Sequence, residues 1–203
     1  MAEAGKQPLV VQRLDRGASP YPEILRIRLE ENAPCALTAI GPAALLTNHR
    51  TALFCSARTP GDAILRAHDA AQRLRDAGVT VISGFHSPIE QDCLRILLRG
   101  KQPIIICPAR AIEVMRIPTE CRAAFDAGRV LFLSPFVKQP TRVTKESAIR
   151  RNEFVAALAD DAYIAHISAG GQTARIAEML AGWKVPVKMG GSLTDASMAP
   201  QSI

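Results

Sequence analysis

Residues 51–84 read TALFCSARTPGDAILRAHDAAQRLRDAGVTVISG, and the fold follows from how that stretch is parsed. Thr51–Cys55 is apolar on both alternations, as a strand covered on both faces should be. Asp62–Ala77 then places Ile64, Ala67, Ala71 and Leu74 on one helical stripe, with Arg66, Arg73 and Arg75 largely outside it. Gly78 supplies a C-terminal stop, and Thr80–Ser83 begins a second apolar run. Strand, small-residue turn, helix, glycine, strand is the repeating unit of a parallel sheet.

The same alternation continues downstream. Pro103–Cys107, Arg129–Leu133, Ala162–Ile167 and Val185–Lys188 are further apolar runs. Between them lie helical patterns: Gln91–Leu98 before Gly100, Thr119–Ala127 before Gly128, then Thr144–Ala159 and Gln172–Ala181. The spacing predicts an α/β fold: a Rossmann-like, doubly wound, mainly parallel sheet of about six strands with helices on both faces. Residues 1–50 differ, carrying Pro20, Pro22, Pro34 and Pro42 and one short helical patch at Glu23–Arg28. They read as a lead-in packed on the domain edge, with the Rossmann-like domain over 51–190. Residues 191–203 are small and polar and read as a disordered tail.

Composition narrows the function classes. Hydrophobic residues make up 48% of the chain, enough for a sizeable core. Met1–Pro8 is polar, without the apolar centre of a signal peptide. The uncharged stretch Asn32–His49 is interrupted by Pro34, Pro42 and Asn48 and does not read as a membrane span. A cytoplasmic protein with no membrane partner is expected. The five cysteines are odd in number and form no CxxC pair, and the four histidines have no metal spacing. Reduced thiols, no disulfide framework and no metal site are therefore expected. A net charge of +6 favours anionic partners, although many basic proteins bind no nucleic acid. There is no GxSxG elbow, HExxH, Walker A loop or GxGxxG, so neither a catalytic constellation nor a cofactor is expected.

In an open parallel sheet, ligands bind outside the carboxyl ends of the strands. Four stretches fall there. Cys55–Gly61 leads into a helix, where free N–H groups suit phosphate and Arg58 adds a bidentate contact; a capped turn with a solvated arginine explains it as well. Ser83-Gly84-Phe85-His86-Ser87-Pro88 has the same order, and Ser87, Pro88 and Glu90 carry the signature of an N-cap, which alone accounts for them. Lys138, Arg142, Lys145, Arg150 and Arg151 surround a single acid, Glu146, and form either a phosphate track or a solvated helix face. Asn152 beside them has the chemistry to hydrogen-bond a base or sugar. Ser168-Ala169-Gly170-Gly171-Gln172-Thr173 lets a ligand approach the backbone closely, or is a helix cap that needs small residues.

Taken together and in order, these stretches resemble the DNA-processing protein A (DprA/Smf) family. Tyr21-Pro22-Glu23-Ile24-Leu25 is similar to its "YPxxL", and Ala33-Pro34, Leu37 and Gly41 to its "aPxxLyxxG", with Thr38 at the aromatic position. Phe54-Cys55-Ser56-Ala57-Arg58 is similar to the "VGSR" strand end. Ser83-Gly84 and Ile89 fit "SGxARGID", Ser134-Pro135 falls at "SE", Arg151-Asn152 matches the start of "RNR", and Ser168, Thr173 and Ala174 resemble "SGxxxTA". Ser56, Ser87, Pro88, Glu90 and Glu153 differ from those patterns. Ser87 and Glu153 each stand where the family carries an arginine.

The resemblance implies a non-enzymatic domain that binds single-stranded DNA, usually as a homodimer, and hands it to a RecA-type recombinase during natural transformation. It implies Arg58, Ser83, Gly84, Arg151, Asn152, Ser168, Gly170 and Gly171 as pocket residues, with Lys138, Arg142, Lys145 and Arg150 extending the track. Scarce aromatics, 4% of the chain, favour backbone contacts over base stacking. A second reading is a nucleotide-binding or nucleotide-cleaving domain. Gly170-Gly171-Gln172-Thr173 with Glu178 is loosely similar to the "PGGxGTxxE" motif of lysine-decarboxylase-like phosphoribohydrolases, lacking its proline and third glycine. A partner-binding domain with a decayed pocket is the third.

Overall fold

The computed structural model describes residues 9–56 and 59–189. In chain order the elements are β1 (Val11–Asp15), α1 (Ile24–Leu29), β2 (Ala36–Ile40), β3 (Arg50–Phe54), α2 (Gly61–Asp76), β4 (Thr80–Ser83), α3 (Pro88–Leu98), β5 (Ile104–Ile106), α4 (Arg122–Asp126), β6 (Val130–Ser134), α5 (Lys145–Leu158), β7 (Asp161–Ile164), α6 (Gln172–Gly182) and β8 (Val187–Met189). They build one sheet in the order β1-β2-β6-β5-β4-β3-β7-β8.

The six strands expected from the apolar runs are all present, and they are mutually parallel. Their residues alternate faces with period two. Leu53, Val81, Ile104, Ile106, Val130, Phe132 and Tyr163 point to the layer formed by α2, α3 and α4. Ala52, Phe54, Ile82, Ile105, Leu131, Leu133, Ala162 and Ile164 point to the layer of α1, α5 and α6. Burial on both faces is why these runs lack a polar alternation.

The strand count is eight rather than about six, because residues 1–50 supply two strands. β1 pairs antiparallel with β2, and β2 pairs antiparallel with β6. Only Leu14 of β1 is buried, so its apolar pattern is weak. β2 is fully buried but sits between Pro34 and Pro42. α1 follows the same preference for the core: Leu25 is fully buried, while Arg28 donates to the carbonyls of Ala157 and Ala159 at 3.1 and 2.6 Å. That closes the carboxyl end of α5, where orphan carbonyls and the helix dipole favour a cation.

The amino-terminal edge of the sheet is fastened by a part-buried ion pair, beside a more exposed contact of His49 with Asp161. Arg50 Nε lies 3.0 Å from Asp160 Oδ2, its backbone N–H donates to the same oxygen at 2.8 Å, and its Nη1 donates to the Leu46 carbonyl at 3.0 Å. Burial pushes the Asp160 carboxyl up, but its hydrogen bonds from Arg50 outweigh this and hold it below its ordinary value. A carboxylate depressed in the folded state stabilises above its unfolded pKa of about 3.9, and that contribution disappears as pH falls through the lower folded value. Unfolding free energy should therefore drop more steeply below about pH 4.5 in the wild type than in Asp160→Asn. Parallel stability–pH curves from urea titrations would show that this pair is not the linkage.

Candidate functional site

From β3 the chain winds through β4, β5 and β6 in one direction, then returns over α5 to place β7 on the opposite side of β3. The connections therefore diverge between the carboxyl ends of β3 and β7, the place where an open parallel sheet leaves a crevice. Ser56 and Ser168 face each other across it, with their hydroxyl oxygens 3.3 Å apart. The turn after β7 folds on itself: Gly171 N–H donates to the Ser168 carbonyl at 2.9 Å, and Ser168 N–H to Thr173 Oγ1 at 3.4 Å. Gly170 adopts φ +68°, a left-handed conformation that suits glycine, and it lies exposed at the tip.

Beside the crevice, the turn after β4 is organised by a buried acid. Glu90, 7% exposed at the third position of α3, accepts N–H groups from three residues. Cys55 N–H reaches Oε1 at 3.1 Å, and the N–H groups of His86 and Ser87 reach Oε2 at 2.9 and 3.2 Å. Ser87 Oγ in turn accepts the Glu90 N–H at 3.2 Å, completing the capping box that Ser87, Pro88 and Glu90 signal in sequence. One carboxylate thus holds the ends of β3 and β4 together.

Arg151, on α5 across the sheet, reaches the same strand ends and is 4% exposed. Its Nη1 donates to the Cys107 carbonyl at 3.1 Å and its Nε to Asn152 Oδ1 at 2.8 Å. The guanidinium rests directly over Gly84, where a Cβ would fall 1.6 Å from Nη1. Burial lowers the Arg151 pKa, opposed by the nearby Glu90 charge, and the guanidinium stays cationic. Burial pushes the Cys107 thiol up to about 12, so it remains neutral beside that cation. Arg151 therefore joins β4, β5 and α5 and forms a floor at their strand ends.

Outside this floor runs the basic segment. Lys138, Arg142, Lys145 and Arg150 are exposed, and none forms an ion pair with a described residue. Arg150 stacks its guanidinium 5.6 Å from the centroid of Phe136. The start of the segment is pinned by Glu113, whose Oε1 accepts the Lys138 N–H at 2.9 Å and the Thr38 hydroxyl at 3.3 Å. Burial raises the Glu113 pKa, but those bonds, Lys138 N–H foremost, leave it below its ordinary value. At the helix entrance Thr144 and Ser147 form a reciprocal cap at 3.0 and 2.9 Å, which starts α5 and aims Arg150 and Arg151 at the strand ends.

With this geometry the comparisons are decisive: residues 12–181 match the DNA recombination-mediator protein A family. The chain belongs to that family. Its fold is similar to that of DNA processing protein A from Helicobacter pylori, described for its single-stranded DNA binding mode, with a TM-score of 0.70 and 17% identity over 89% of this chain and 80% of that one. It is also similar to DNA processing protein A from Streptococcus pneumoniae, with a TM-score of 0.71 and 18% identity over 93% of this chain and 65% of that one. The chain thus spans just under two thirds of the pneumococcal protein's length. No curated protein sequence matches it.

Within this family member, the residues singled out from sequence fall in several different places. Gly84, Arg151 and Asn152 meet at the floor, and Ser168, Gly170 and Gly171 meet at the crevice. Ser83 is fully buried, its hydroxyl donating to the Leu53 carbonyl at 2.7 Å, so it braces two strands from within. Arg58 lies outside the described residues, as do residues 191–203. Glu178 is exposed on α6, five residues past Thr173 and about 7–8 Å along the axis. Two acids gain tasks that sequence reading did not give them. Glu90 is marked there only as a cap, and Glu113 carries no signal at all. No described helix is long and apolar enough to cross a membrane, and no group of metal-ligating side chains occurs among the described residues.

Proposed function

We propose that this family member binds single-stranded DNA along the carboxyl edge of its sheet, in the cytoplasm and without covalent chemistry. The observation that carries this reading is the row of exposed cations at Lys138, Arg142, Lys145 and Arg150, none ion-paired with a described residue, on the same carboxyl edge of the sheet as the crevice edged by Gly170 and Gly171. Phosphates would meet the cations, and the glycine turn leaves room for the sugar–phosphate backbone. Arg58 adds a contact from the β3 turn, and Asn152 one to sugar or base. Arg151, being buried, fixes the floor and offers its Nη2, which makes no hydrogen bond to a described residue. Few aromatics are available for stacking, so sequence preference is low. Assembly as a homodimer and transfer of the strand to a RecA-type recombinase complete the proposal.

Fluorescence anisotropy of a labelled oligothymidylate at several salt concentrations tests it. Four to five phosphate contacts give a slope of log affinity against log salt near about −3, at roughly 0.7 per contact on a single strand. Duplex of equal length should bind more weakly. Arg58→Ala with Arg151→Ala should abolish binding at moderate salt. A wild-type protein that leaves the oligonucleotide free at low salt would end this reading.

A further inference from the structure

On the helix that rises from the crevice turn, α6, an ion pair reaches across to α5 that neither the fold nor the floor uses. Arg175 sits on the first turn of α6, its N–H donating to the Gly171 carbonyl at 3.3 Å. Its Nη2 lies 2.8 Å from Oε1 of Glu153 on α5. The Glu153 side chain is 20% exposed, with Oε1 itself buried and making no hydrogen bond to a described residue, so the contact is purely ionic, whereas the Arg175 side chain is 59% exposed. A pair whose guanidinium is mostly in water contributes little to stability. Glu153 lies one helical turn beyond Arg150 on α5, so the acid shares a helix face with that cation. The glycine turn that would admit a backbone is the turn from which Arg175 rises.

We infer that Arg175 is a phosphate contact of the bound strand, and that Glu153 competes with the phosphate for it, so that affinity is set below what the cations alone would give. The inference rests on the single-stranded DNA reading above. Arginine suits the role because its planar fork can keep one N–H on the carboxylate and offer the others to a phosphate. The two residues then have opposite effects on binding. A structural tie between α5 and α6 predicts the same sign for both, because either substitution breaks the same bond.

The experiment is the salt-dependent anisotropy titration with oligothymidylate, applied to the full chain and to Arg175→Gln, Arg175→Lys and Glu153→Gln. Circular dichroism melting establishes that each variant is folded. Arg175→Gln should weaken binding about three- to tenfold and flatten the salt slope by about 0.7, one contact's worth. Arg175→Lys should keep the slope. Glu153→Gln should tighten binding about two- to fivefold, since it removes a negative charge from the path of a polyanion. If the wild type binds with a steep slope while Arg175→Gln leaves affinity and slope intact, the inference falls and the function stands. A shift of the same sign in Arg175→Gln and Glu153→Gln overturns it equally. Absence of wild-type binding removes both.

Discussion

Glu90→Ala is expected to lower the unfolding free energy by about 3–5 kcal/mol, the cost of breaking a buried charged network rather than of losing one surface contact. Three backbone N–H groups lose their acceptor at once, those of Cys55, His86 and Ser87. The Cys55 N–H is buried where water cannot replace the carboxylate, and the other two bonds are part-buried. The buried Arg151 also loses the nearby charge that offsets its desolvation. Glu90→Gln is a milder probe. Whichever way its amide is turned, an NH2 group faces an N–H, so a cost of about 2–3 kcal/mol is expected. Urea unfolding read by circular dichroism measures both. A loss below 1 kcal/mol in Glu90→Ala would mean that the turns after β3 and β4 are held by something else.

Gly84→Ala carries the second large effect. The added methyl falls 1.6 Å from Arg151 Nη1 and 2.0 Å from Cζ. The guanidinium is the far end of a flexible chain, but here it is buried and bonded to Cys107 and Asn152, so its displacement is costly. Expulsion strands the Cys107 carbonyl and opens the floor; a loss of about 2–4 kcal/mol follows, along with weakened oligonucleotide binding. A double-mutant cycle isolates the cause. Once Arg151→Ala has removed the obstacle, Gly84→Ala should cost little more. Additive losses would show that the methyl clashes with some other group.

How far the sequence reveals this molecule depends on whether the relevant partner is near in the chain. The six parallel strands are readable because Leu53, Val81, Ile104 and their neighbours are buried on both faces, and apolar runs need no partner to be noticed. The run expected to reach Ile167 leaves the sheet after Ile164, because the following residues build the crevice turn. β1 escapes notice because four of its five residues are not buried. The capping box at Ser87 is local and fully legible, but the reach of Glu90 to Cys55 spans two elements and is not. Gly84 reads as a generic small residue until Arg151 is seen lying on it. Arg151 and Asn152 are picked out first by the basic run and again by family resemblance, neither of which indicates that the arginine is buried.

The seam between β2 and β6 also fixes an order of events as the chain is made. Thr38 pairs with Ser134, and Thr51 with Asp161. A ribosome releases the first strands long before their neighbours exist, so β1 and β2 can zip to each other early while the inner side of β2 stays open until β6 emerges. Likewise β3 gains β4 promptly but waits for β7, and until then the two walls of the crevice do not coexist. The proposed binding surface is therefore among the last features completed, after most of the sheet has been translated.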